Sequence, residues 1–211
     1  MSPVSLVALL VLGGAQDQPM DYGQAQAFVR AGETEPLGLA SPIAVIAFEH
    51  DMLLRYSVIS FHISWRPDET SERRPFWFAR LRSTHHTNVQ VSYADGRTCL
   101  ALNDVLLAME QLSAPLLDLP WVPSESPLTE LNGAEPMHDF KFSLSAPGHF
   151  PGSMTAAKVT VSGGSLSPVG VWMRESEAKL ADCWNADPPA WVVEDEQTRA
   201  RHAAQRATGL H

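Results

Sequence analysis

Ser57-Val58-Ile59-Ser60-Phe61-His62-Ile63-Ser64-Trp65 decides the fold class. Ile59, Phe61, Ile63 and Trp65 alternate with Val58, Ser60, His62 and Ser64. A period of two places the two sets on opposite faces of a strand. One apolar and one wet face is the pattern of an antiparallel sheet covered on one side. The pattern continues outward from this stretch. Residues 43–48 are a compact apolar run that reads as a buried strand. Residues 76–82, 88–94, 140–145 and 155–162 alternate, and Val169, Val171 and Met173 supply a last strand. Asp95-Gly96 is the strongest hairpin signal in the chain. A two-residue turn there sets Tyr93 opposite Thr98, Val91 opposite Leu100 and Val89 opposite Leu102, all on one apolar face.

Three segments read as helices. Residues 21–31 place Ala25, Phe28 and Val29 on one side. Residues 105–112 follow Asn103 or Asp104 as a cap. Residues 175–184 bury Leu180, Ala181 and Trp184 before Asp187-Pro188-Pro189 breaks the chain. The set predicts an α+β protein, with an antiparallel, meander-like sheet packed on one side by helices. An all-β sandwich is the alternative, since eight short strands would also suit it.

A chain of 211 residues buries one core. Its 45% hydrophobic and 18% charged residues exclude disorder throughout. A formal charge of −9 and a pI near 5.3 argue against nucleic-acid binding, which needs a basic footprint. Residues 4–12 form a short apolar run, followed by the small residues Gly13 and Ala15. This is the pattern of a signal peptide cleaved after Ala15, too short to span a bilayer. No Lys or Arg precedes the run, and a start at Met20 is the alternative. The expected layout is a signal peptide at 1–15, a single α+β domain at 16–193 and a polar tail at 194–211. The destination is the periplasm or the medium, and no other segment is apolar enough to be a transmembrane helix.

Cys99 and Cys183 fit an oxidising compartment, and we expect them to pair; two unrelated buried thiols are the alternative. In the hairpin register Cys99 falls on the polar face beside Ser92 and Gln90. A C-terminal segment carrying Cys183 would cover it there.

Catalytic and cofactor motifs are sparse. His85-His86 sits in a predicted connection, where neighbours on extended backbone point apart, so no metal site is expected. Ser162-Gly163-Gly164-Ser165 reads as a glycine turn. Ser176 and Lys179 form an S-x-x-K without its companion motifs, and read as an exposed helical pair. No phosphate-binding glycine loop occurs, and no cofactor is expected. Glu49, Asp51, Glu110 and Asp139 are carboxylates whose spatial separation decides their use. The Pro-, Ser- and Glu-rich connection at 113–136 is long enough to be a functional loop.

The remaining signal is a concentration of arginine. Arg66, Arg73, Arg74, Arg80, Arg82 and Arg97 fall within one stretch of an acidic chain. Phe76, Phe78, Arg80 and Arg82 share one strand face, the candidate ligand-binding surface for a glycan, an aromatic or an anionic small ligand. Alternatively, the C-terminal segment covers the two phenylalanines while the arginines pair with acids. The expected function is that of a non-catalytic exported binding or envelope-associated module. A small exported hydrolase, with a Ser or Asp/Glu site assembled only in the fold, is the alternative.

Overall fold

A computed structural model describes residues 20–50, 53–67, 73–112, 140–148 and 157–207. The proposed leader and the 113–136 connection lie outside the described residues. Helix α1 (Tyr22–Ala31) leads into strands β1 (Ala44–His50), β2 (Arg55–Pro67), β3 (Arg73–His85) and β4 (Asn88–Asp95). Helix α2 (Ala101–Glu110), strands β5 (Lys141–Gly148) and β6 (Ala157–Gly163), and helices α3 (Pro168–Leu180) and α4 (Ala190–Ala207) follow. All strand pairs are antiparallel, in the order β4-β3-β2-β1-β5-β6. The chain is therefore α+β, built on one six-stranded sheet rather than a sandwich.

The larger core lies on one face. Ile46, Phe48, Ile59, Phe61, Ala79, Phe142 and Leu144 of the sheet meet Leu102, Val105 and Leu106 of α2 and Val169, Trp172, Met173 and Leu180 of α3. The second face is covered as well. Ala25 and Val29 of α1 are fully buried, and Val29 packs with Tyr56 and Val58. Trp191 and Val192 of α4 pack with Leu37 and Phe78. Helices thus lie on both sides of the sheet, where one-sided cover was expected. Alternation along β2 identifies two faces, but Ser60 and His62 on the expected wet face have no exposure at all. Polar residues bury there because each finds a hydrogen-bond partner.

Two segments depart from the strand reading, each for a local reason. The chain does not return from Asp95-Gly96 as a hairpin. The Asp95 carbonyl accepts from the amides of Thr98 (3.0 Å) and Cys99 (2.8 Å), turning the chain toward α2. Gly96 serves a close approach instead: its amide donates to the Trp77 carbonyl at 2.8 Å, and a Cβ would stand 2.6 Å from that oxygen. The tight β3–β4 hairpin forms at His86-Thr87, with His86 at φ 56°. The second departure is at Val169, Val171 and Met173, which belong to α3. Ser167 caps that helix, its hydroxyl accepting from the Gly170 amide at 3.2 Å, and Pro168 occupies the first turn. Both residues are strong start signals. Beyond Val193, the expected polar tail continues α4 as far as Ala207.

Cys99 and Cys183 form a disulfide, with Cα atoms 5.6 Å apart. It joins the start of α2 to the 3-10 turn Ala181–Cys183 that follows α3. Two residues on, Asn185 exchanges main-chain hydrogen bonds of 2.8 and 2.9 Å with Tyr93, on the outer edge of β4. The C-terminal segment is pinned to the sheet, as the cysteine positions implied. It meets an edge strand there rather than a hairpin face.

Candidate functional site

The Phe76–Arg82 face is closed. Phe78 is 1% exposed, Arg80 2% and Arg82 7%, and Phe76 is half-buried. Trp191 stands edge-on to Phe78 (4.6 Å between ring centroids) and to Phe76 (5.6 Å). Arg97 lies over the Phe76 ring, 4.3 Å from its centroid, and pairs with Asp95 at 2.6 Å. Burial works against the Asp95 carboxylate, but hydrogen bonds from Arg97 outweigh it and hold its pKa below the usual range.

The arginines of this face serve α1. Arg82 donates to the Phe28 carbonyl (3.0 Å), stacks over the Phe28 ring (4.4 Å) and pairs with Glu35 (2.6 Å). Arg80 donates to the Gly32 carbonyl at the end of α1 (3.5 Å) and to the Glu35 carbonyl in the segment that follows (2.8 Å). Carbonyls at a helix C-terminus lack helical partners, and cations there also oppose the helix dipole. Burial, and then the neighbouring Arg82, lower the Arg80 pKa to about 10, which leaves it charged at neutral pH. With Phe78, Arg80 and Arg82 buried and Phe76 half-buried, this face is not an open surface in the folded chain.

Ser60 and His62 have the spacing of a nucleophile and its base, with Oγ and Nε2 2.9 Å apart. The His62 Nδ1 donates to the Ala40 carbonyl at 2.9 Å, which leaves Nε2 to accept from the serine. Phe78 stacks on the imidazole, 5.2 Å between centroids. Neither residue is exposed, so no substrate carbonyl reaches the pair. Ser176 is buried, not exposed as expected, and donates to the Trp172 carbonyl at 2.7 Å, while Lys179 faces solvent. His85 and His86 stand close, 4.7 Å between centroids, because His86 takes the left-handed conformation of a turn rather than an extended one. Among the described residues no group of three or more His, Cys, Asp or Glu is placed to hold a metal ion. No helix among them is long and apolar enough to cross a membrane.

An open cleft of about 500 Å³ lies on the second face, between α1 and the β1–β5–β6 half of the sheet. Its construction follows from the registers. Tyr56, Glu49 and Lys141 form one row across β2, β1 and β5. The next row runs Val58, Ala47, Ser143 and Ser162, from β2 to β6. Ala47 and Ser143 are small, which leaves space above the floor. Arg30 of α1 and Glu33 in the turn that follows it line one wall, and Gly163 and Gly164 line the other.

The polar groups of the cleft are tied to one another. The Tyr56 hydroxyl donates to Glu33 at 2.8 Å, and the Arg30 guanidinium lies 4.9 Å from the Tyr56 ring centroid. Gln26 donates to Glu49 at 3.3 Å. Burial, reinforced by the Glu33 carboxylate, raises the Tyr56 pKa well above that of a free phenol. The phenol therefore stays protonated and remains a donor. The cleft so presents two cations, two carboxylates, a neutral phenol and two serine hydroxyls, and among the described residues neither histidine nor cysteine lines it.

Sequence reasoning named Glu49 among these residues as one available carboxylate, and Ser162, Gly163 and Gly164 only as part of a glycine turn. A usable signal was present on β5, where Lys141, Ser143 and Ser145 alternate with Phe142 and Leu144. That polar row is the open side of the sheet. No protein-family model, curated protein or solved structure matches this chain.

Proposed function

We propose that the protein is an exported, envelope-associated binding module without catalytic function, and that its ligand is a glycan held in the cleft beneath α1. The observation that carries this reading is the balanced lining of the cleft. Arg30 and Lys141 share it with Glu33 and Glu49, and Glu49 lies directly opposite Lys141 in the strand register. Carboxylates beside both cations weaken the attraction for a simple anion. Alternating charged donors and acceptors with hydroxyl groups instead match the vicinal hydroxyls of a sugar. The disulfide supports an oxidising compartment, in keeping with the signal-peptide pattern of the N-terminus.

The test is calorimetric titration with neutral, acidic and amino-substituted oligosaccharides. Glu49→Ala/Lys141→Ala removes one charge of each sign and leaves the net charge unchanged. Binding of one glycan class by the native chain, weakened at least about tenfold in the double variant, is the expected result; tenfold corresponds to about 1.4 kcal/mol. Binding of small anions in preference to every glycan, or glycan binding unchanged in the double variant, overturns the proposal.

A further inference from the structure

The two edges of the sheet are finished differently. On β4, the Tyr93 backbone is bonded to Asn185, and the disulfide holds that segment in place. On β6, Ala157, Lys158, Val159, Thr160 and Ser162 are all exposed, and among the described residues no main-chain group pairs with its outer edge. A free strand edge is a row of donors and acceptors ready to pair with another strand. The sequence of β6 specifies which strand fits.

We propose that β6 pairs with β6 of a second copy of this chain, antiparallel about a two-fold axis through Thr160, to make one continuous sheet across a homodimer. In that register Val159 lies opposite Val161, Lys158 opposite Ser162, Ala157 opposite Gly163, and Thr160 opposite itself. Every pair is favourable or neutral: β-branched residues face each other, and the one charge on the strand meets a hydroxyl rather than its own copy. Val159 is 42% exposed in the single chain and lies on the Leu144–Ala146 face, so pairing with Val161 would extend the main core across the axis. Thr160, whose hydroxyl lies 2.8 Å from that of Ser145, is on the opposite face with Lys158 and Ser162. A two-fold contact of this kind is closed and ends at the dimer.

The pairing also bears on the cleft. Ser162 lines it, so Lys158 of the second copy would stand at its rim and add a third cation. The inference does not depend on which ligand the cleft takes.

Sedimentation equilibrium over a concentration series tests the proposal, with two variants. The native chain is expected to shift from monomer to dimer with concentration. Val159→Lys, a change at an exposed position, is expected to keep it monomeric with an unaltered far-ultraviolet spectrum. In a short bis-maleimide cross-linking assay, Thr160→Cys should link to a second copy of itself far more efficiently than Lys158→Cys, because only position 160 lies on the axis. A native chain that stays monomeric overturns the proposal. So does a dimer that survives Val159→Lys, or equal cross-linking from both cysteine positions.

Discussion

His62 is a residue through which pH acts on this fold. Its ring is unexposed, donates to Ala40 and accepts from Ser60, an arrangement that only neutral imidazole satisfies. Burial, with the Arg80 charge adding to it, lowers its pKa to about 4, although the Ala40 hydrogen bond opposes the shift. In the unfolded chain histidine titrates near 6.5. Between those values the unfolded state binds a proton that the folded state refuses. The stability conferred by neutral His62 is therefore fully present above pH 6.5 and is lost as the pH falls toward 4. A difference of this size corresponds to about 3 kcal/mol. Glutamine can donate to Ala40 and accept from Ser60 without titrating. His62→Gln is thus expected to flatten the dependence of Tm on pH between 6.5 and 4, relative to the native chain. Equal slopes for the two proteins would assign the acid sensitivity to other groups.

Among the elements, α4 closes the Phe76–Phe78 surface through a single large side chain. Trp191 and Val192 are its buried residues, and 201–207 are wholly exposed. Trp191→Ala should cost about 3–5 kcal/mol, the range for truncating a buried aromatic. It should also raise binding of an apolar dye, because Phe78 would be uncovered. A cost below about 1 kcal/mol would mean that α4 does not hold this surface closed. The elements also show which readings were available from sequence. The strands at 57–65, 76–82 and 140–145 were legible because a period of two survives whatever covers each face. Val169, Val171 and Met173 misled because residues 169 and 173 lie on one face under either period. Only Ser167-Pro168, a cap and a first-turn proline, separates the readings. The cleft was harder still. Arg30, Glu49, Tyr56, Lys141 and Ser162 come from five elements, brought together only by the sheet register and the packing of α1 on it. The covered Arg80 and Arg82 illustrate the converse, since a row of arginines reads alike whether it meets solvent or the end of a helix.

At the scale of the molecule, the disulfide links the sheet-and-α2 half of the chain to the α3–α4 end, across a sequence separation of 84 residues. Two mechanisms for its stabilisation predict different measurements. If it acts mainly on the unfolded chain, closing a loop of this length contributes about 4–5 kcal/mol and leaves the folded state as it is. If it acts as a local clasp, its loss should free the segment that carries Asn185 from the edge of β4. Cys99→Ala/Cys183→Ala separates the two. We expect a loss of about 4 kcal/mol in urea unfolding, with amide exchange at Tyr93 and Asn185 nearly unchanged in the folded state. The reason is that Trp191 and Leu180, buried on either side of the pinned segment, hold it to opposite faces of the sheet without the covalent link. Faster exchange confined to those two amides, with a loss of only about 1 kcal/mol, would establish the clasp instead. The Asn185–Tyr93 bridge would then depend on the disulfide, and under reducing conditions the β4 edge at Tyr93 would open.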